Sequence, residues 1–130
     1  MSLFSIQALT CKHGLLTAVR EISFDIERGE ALCIIGANGA GKTTLLRSLA
    51  GVHPPAEGSI SLNGKTITAQ RGFERVRAGV SMSPEGRRLF ADLTVRENLM
   101  VSAEHGRKGL WTLDRLLEAF DQLKPIIAKP

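Results

Sequence analysis

Gly36-Ala37-Asn38-Gly39-Ala40-Gly41-Lys42-Thr43 reads as G-x-x-x-x-G-K-T. In this pattern backbone N–H groups converge on phosphates, the lysine reaches the β- and γ-phosphates, and the threonine hydroxyl meets Mg²⁺. Gly36, Asn38, Gly39, Ala40, Gly41, Lys42 and Thr43 are therefore candidates for holding a nucleotide. The flanks support this. Ala31-Leu32-Cys33-Ile34-Ile35 is a short apolar run that reads as a buried strand. Leu45, Leu46, Leu49 and Ala50 form one stripe of a helix that Gly51 stops, with Pro54 and Pro55 beyond. The loop thus opens a helix, whose positive dipole end faces the anion.

The chain of 130 residues makes one small domain or part of a larger one. Its 43% hydrophobic and 23% charged content is an ordinary globular balance. The net charge of +4 is spread among acids without a dense basic run or interleaved aromatics, so nucleic acid is not the expected partner. Cys11 and Cys33 are far apart with no Cys or His cluster, which fits buried free thiols in a reducing cytoplasm. No apolar run approaches a membrane span, and Lys12 and His13 precede any long apolar stretch, so neither a span nor a signal peptide is expected.

Further along, residues 3–9 have strand character with Phe4, Ile6 and Ala8 on one face, and His13-Gly14 marks a turn. Ile22, Phe24 and Ile26 alternate with Ser23 and Asp25 as in a half-buried strand. Asn63-Gly64 between residues 59–62 and Thr66-Ile67 is a hairpin signal. Antiparallel strands beside a βα unit predict a mixed sheet. Residues 71–78 read as a short charged helix, 80–82 as a strand and 83–92 as a loop. Thr94-Val95-Arg96-Glu97 is a capping box for a helix to about Ala103, broken over residues 105–109. Thr112 caps a second helix with Leu113, Leu116, Leu117, Phe120 and Leu123 in register, which Pro125 ends.

Residues 36–44, the hairpin 58–67, Ser83-Pro84-Glu85-Gly86-Arg87-Arg88-Leu89-Phe90 and Leu93-Thr94-Val95-Arg96-Glu97-Asn98-Leu99 together resemble the ATP-binding subunit of an ABC transporter. The similarity is to the branch that imports branched-chain amino acids, with urea and short-amide importers close by. It implies an α/β fold: a P-loop NTPase-type core with an antiparallel β subdomain over 1–92, and the start of a helical subdomain over 93–130. The implied cofactors are ATP and Mg²⁺. Lys42 and Glu85 would be catalytic, Thr43 and Glu85 would meet the metal, Thr44 would add a hydroxyl near the α-phosphate, and His13 would stack on adenine. From the residues alone, Pro84-Glu85-Gly86 is also a solvated turn and His13 a turn residue. Arg87 and Arg88 fit a nucleotide or transporter interface and equally a solvated loop edge.

The resemblance also implies partners: a second ATP-binding subunit, transmembrane permease subunits, and a substrate-binding protein acting through the permease. Through them the chain would sit on the inner face of the cell membrane, itself cytoplasmic. The family's Leu-Ser-Gly-Gly-Gln-like signature, an apolar strand ending in Asp-Glu and a switch histidine are not in this sequence. The resemblance therefore covers the N-terminal part of an ABC ATPase domain. Nucleotide binding that is weak or absent, negligible turnover by the chain alone and an unpaired apolar edge at 31–35 are expected. Among other readings, a GTPase lacks its Asn-Lys-x-Asp motif here, and a small kinase has only Arg87-Arg88 for a lid. A truncated module that binds nucleotide without catalysis is the remaining alternative.

Overall fold

The computed structural model describes residues 2–105 and 108–130. Two compact units divide between Met82 and Ser83, upstream of the 92/93 division suggested by the sequence.

The first unit is built on a four-stranded sheet. Its strands are β1 (Phe4–His13), β2 (Leu16–Ile26), β3 (Glu57–Leu62) and β4 (Lys65–Thr66), in the order β2-β1-β3-β4. All three pairings are antiparallel, so the predicted mixed sheet is not what forms. Asn63 (φ 49°) and Gly64 (φ 75°) make the two-residue turn between β3 and β4, as the Asn-Gly pair predicts.

β1 does not alternate to its end. The register slips between Ile6 and Leu9 against β2 and between Gln7 and Thr10 against β3, and Ala8 adopts φ 46°. Ala8 is consequently exposed and not, as its spacing predicts, on the buried face; Leu9 takes that place. This is a β-bulge. The Ala8 N–H donates to Ser23 Oγ at 2.7 Å. The facing strand accommodates the bulge only through Gly58 (φ 89°), where a Cβ would stand 2.5 Å from the Ala8 carbonyl oxygen.

Helix α1 (Lys42–Leu49) lays Leu45 and Leu49 on a core of Phe4, Ile6, Leu9, Cys11, Val19, Ile60 and Ile67. Leu46, predicted on the same stripe, is exposed. Helix α2 (Gly72–Ala78) ends at Gly79 in the left-handed region. It carries Arg75, the one buried charged side chain among the described residues. The Arg75 guanidinium donates to the carbonyls of Ser48 (2.5 Å), Leu49 (2.7 Å), Thr68 (2.8 Å) and Gln70 (3.1 Å). It thereby ties the C-terminal end of α1 to the chain before α2, where the helix dipole favours a cation. Burial pulls its pKa below the ordinary arginine value.

Two predicted strands do not form. Residues 80–82 are irregular, although Val80 packs on the core. Ala31–Ile35 has no strand partner among the described residues; Ile34 alone reaches the core, while Ile35 is 92% exposed. Cys33 is exposed and Cys11 buried, so only one of the two thiols sits where it was predicted. The reason is common to both runs. Apolar composition makes a strand only where a neighbour completes the ladder.

The second unit holds the loop 83–94, helix α3 (Val95–His105), helix α4 (Leu113–Ala119) and a 3₁₀ turn, Asp121–Ile126. Pro125 lies inside that turn, and α4 ends before Phe120, earlier than the leucine spacing predicts. Of the break predicted over 105–109, Gly106 and Arg107 lie outside the described residues. The Asn98 side chain explains why the loop belongs to this unit. It accepts from the Phe90 N–H at 2.9 Å and donates to the carbonyls of Phe90, Leu93 and Thr94 at 3.0–3.1 Å. The first-turn N–H groups of Val95 and Arg96 donate to the Lys129 and Ile127 carbonyls, each at 2.9 Å.

The capping box forms as read. Glu97 Oε2 accepts from the Thr94 N–H and hydroxyl, each at 2.7 Å, and the Glu97 N–H donates to Thr94 Oγ1 at 3.2 Å. The Thr94 backbone bond, then its hydroxyl bond, hold the Glu97 pKa below the usual glutamate value. A lowered folded pKa means the contribution is present above the unfolded value and lost as pH falls through the folded one. As pH falls below the ordinary glutamate value of about 4.3, α3 is expected to lose helicity by circular dichroism. Glu97→Gln should flatten that dependence, and an unchanged pH profile in the variant would contradict it.

No described residue of the second unit is buried, and Leu89, Leu110 and Trp111 are largely exposed. A unit whose apolar side chains are at most half-buried has less to resist opening. Amides of α3 and α4 are expected to exchange with deuterium faster than those of β1. Equal protection would show a stabilising contact that the burial does not account for.

Candidate nucleotide-binding site

The phosphate loop leaves residues 31–35 and enters α1. Gly39 (φ 81°) and Gly41 (φ 96°) bend it through the left-handed region. The Ala40 N–H donates to the Ala37 carbonyl at 3.2 Å, and the Leu45 N–H to the Gly41 carbonyl at 2.8 Å, the first bond of the helix. Gly41 is the N-cap and has no side chain to satisfy the opening N–H groups. A Cβ there would collide with the Ala18 carbonyl oxygen and stand 3.3 Å from Val19 Cγ2. The loop is thus pressed against β2.

Lys42 folds back over the loop, and its Nζ donates to the carbonyls of Gly36 (2.6 Å) and Ala37 (2.7 Å). Its ammonium is therefore held at the loop mouth. Thr43 is exposed and Thr44 half-buried. His13, at the end of β1, brings Nε2 within 3.1 Å of Thr44 Oγ1. The structure thus gathers Gly36, Asn38, Gly39, Ala40, Gly41, Lys42, Thr43, Thr44 and His13 around the first turn of α1. Glu85 stands on the loop of the second unit, exposed, with its carbonyl accepting from Arg88 Nε at 3.4 Å. The next residues, Gly86 (φ 83°), Arg87 (φ 64°) and Arg88 (φ 33°), run through the left-handed region, which costs about 1–3 kcal/mol at each non-glycine position.

These groups fit a nucleotide phosphate chain. Open helical N–H groups, glycine flexibility and a lysine spending its charge on two carbonyls are what an anion would engage. Among the described residues no group of three or more His, Cys, Asp or Glu side chains could hold a metal. Mg²⁺ fits the Thr43 hydroxyl all the same, because it keeps waters and takes phosphate oxygens in place of an all-protein cage. A cavity of about 200 Å³ between β2 and the phosphate loop is lined by Val19, Arg20 and Ile22 on one side and by Ile34, Ile35, Gly41 and Lys42 on the other.

Sequence reasoning passed over Arg75, Asn98 and His53. The third packs on His13 with ring centroids 4.6 Å apart. An arginine at the centre of a short helix and a histidine before a Pro-Pro pair carry no local signal of burial or stacking. Asn98, four residues after the cap Thr94, does carry a weak one, since asparagine is a poor interior helix residue.

Residues 19–129 match the family model described as ABC transporter, and the chain belongs to that family. It is 36% identical over 124 residues to the high-affinity branched-chain amino acid transport ATP-binding protein BraG of Pseudomonas aeruginosa, covering 94% of this chain and 53% of that protein. It is also 36% identical over 104 residues to ribose import ATP-binding protein RbsA 2 of Rubrobacter xylanophilus, covering 80% of this chain and 20% of that one. A solved ATP-binding subunit of an ABC transporter aligns with TM-score 0.75 and 27% identity, over 98% of this chain and 53% of its own. An ATP-binding cassette in a dimeric post-hydrolysis state, bound to ADP and Pi, aligns with TM-score 0.76 at 20% identity, over 96% of this chain and 60% of its own. The fold is that of part of an ATP-binding cassette.

Proposed function

We propose that this chain is the nucleotide-holding part of an ATP-binding, energy-coupling subunit of an importer, with ATP hydrolysis carried out in the intact dimer. The observation that carries this is the Gly36–Thr43 loop opening α1 with Lys42 drawn over its mouth. On this reading the loop and helix N–H groups bind the phosphate oxygens, and Lys42 Nζ exchanges its two carbonyl partners for them. Thr43 Oγ1 holds Mg²⁺ and Thr44 adds a hydroxyl near the α-phosphate. The open face of His13 receives the adenine. Glu85, on the second unit, is the residue that family resemblance assigns as a carboxylate for the metal. Mg²⁺, when bound, offsets phosphate charge. Binding and charge stabilisation are therefore what this chain's residues supply.

The branch-level reading is an importer of branched-chain or other amino acids, supported by the match to BraG over nearly all of this chain. The ribose import relative supports an importer of another cargo. The partners would be a second ATP-binding subunit, permease subunits and, through these, a substrate-binding protein. No described helix is long and apolar enough to cross a membrane.

Calorimetric titration with ATP·Mg²⁺ tests the core of this. The wild-type chain is expected to bind weakly, and Lys42→Ala to lose at least about tenfold, one or two charge-assisted bonds, with its melting temperature unchanged. Equal affinity in the two proteins would overturn the reading. For the cargo, the reconstituted transporter is expected to raise its ATP turnover with leucine-loaded binding protein and not with ribose.

A further inference from the structure

His13 is held on two sides. Its Nε2 meets Thr44 Oγ1 at 3.1 Å, and His53 packs on its ring with planes inclined at 43°. His53 is itself anchored, with Nε2 3.0 Å from the Lys12 carbonyl oxygen and its backbone N–H donating to the Arg47 carbonyl at 3.2 Å. A carbonyl only accepts, so His53 Nε2 carries a hydrogen. The His13–Thr44 bond has no such fixed direction: hydroxyl and imidazole nitrogen can each donate.

An anion removes that freedom. The Thr44 hydroxyl has one proton; once it is given to a phosphate oxygen, only a lone pair remains for His13, which must then donate. We propose that His13 is a positioning residue that acts through Thr44. Its Nε2–H donates to Thr44 Oγ1 and turns the Thr44 proton toward a phosphate oxygen of the bound nucleotide, while His53 holds the ring for that bond. This rests on the nucleotide reading above. It adds to base stacking a role for the edge of the ring that needs no base at all. No covalent bond between heavy atoms changes. The hydrogen bond takes one direction, and His13, being exposed, exchanges tautomers through water.

The test uses the full chain with two probes, ATP·Mg²⁺ and inorganic tripolyphosphate·Mg²⁺, the second having no base. His13→Phe keeps an aromatic face and loses the donor, whereas His13→Gln keeps an N–H donor and loses the face. His13→Phe is expected to weaken both probes roughly tenfold. His13→Gln should hold tripolyphosphate near the wild-type affinity. Thr44→Val should cost about as much as His13→Phe, and the double variant little more than either alone. In side-chain ¹⁵N spectra, saturating tripolyphosphate should move His13 toward the Nε2–H form and leave His53 unchanged. Should His13→Phe leave tripolyphosphate binding intact, or its loss add fully to that of Thr44→Val, the relay is overturned and the nucleotide reading stands. A wild-type chain that binds neither probe overturns both.

Discussion

Gly41→Ala is expected to unfold the phosphate loop and much of the first unit with it. Two costs fall on one atom. The residue sits at φ 96°, where a side chain costs about 1–2 kcal/mol. The new Cβ would also run into the Ala18 carbonyl oxygen, which belongs to β2 and cannot swing aside as a side chain end would. Either β2 or α1 must move, and both border the core through Val19 and Leu45. Together the terms approach about 3 kcal/mol or more, a large share of a small domain's total stability. Gly39→Ala is the control. Gly39 has φ 81°, yet a Cβ there meets nothing within 4 Å, so only the backbone term of about 1 kcal/mol applies. Thermal melts of the two variants should separate clearly; equal losses would show that the contact with β2 carries no weight.

Arg75→Met carries the other large effect. Arg75 is 1% exposed, and its guanidinium serves four carbonyls, two of them at the end of α1. Methionine fills part of the volume and supplies no donor, so the Leu49 carbonyl loses the guanidinium bond and the Ser48 carbonyl keeps only the Gly51 N–H at 3.1 Å. Each buried carbonyl left without a donor costs about 1–3 kcal/mol. Arg75→Lys should fall between, because an ammonium keeps the charge but lacks the planar fork that reaches both sides of the cluster. Chemical denaturation midpoints in the order wild type, Arg75→Lys, Arg75→Met are the expected result. A methionine variant as stable as the wild type would show that the burial of the charge costs as much as its bonds return.

The elements that were legible in the amino-acid string depend on short-range chemistry. Gly39 and Gly41 declare a left-handed loop, Asn63-Gly64 declares a tight hairpin, and Thr94 with Glu97 or Thr112 alone declares a helix start, because each bond closes within a few residues. The apolar run 31–35 shows the opposite case. Its composition says buried strand, but burial and pairing need a neighbour, and in the structure it runs unpaired with Leu32, Cys33 and Ile35 exposed. That agrees with the unpaired apolar edge expected at 31–35. Pro125 misleads for a related reason: proline excludes an α-helical interior but fits a 3₁₀ turn, and only packing chooses between stopping there and tightening.

The sequence by itself determined the phosphate loop, the helix that follows it, the hairpin and the helix caps, all through backbone geometry that particular residues permit or forbid. It also carried the family, through the order of those motifs. The tertiary structure alone decided that β1 bulges at Ala8 against Gly58, that Arg75 is buried under the end of α1, and that His13 turns its edge to Thr44 with His53 behind it. Each of these joins residues distant in the chain. Whether a charge is solvated or clamped, and whether a ring faces water or a hydroxyl, is set by the groups that folding places opposite it.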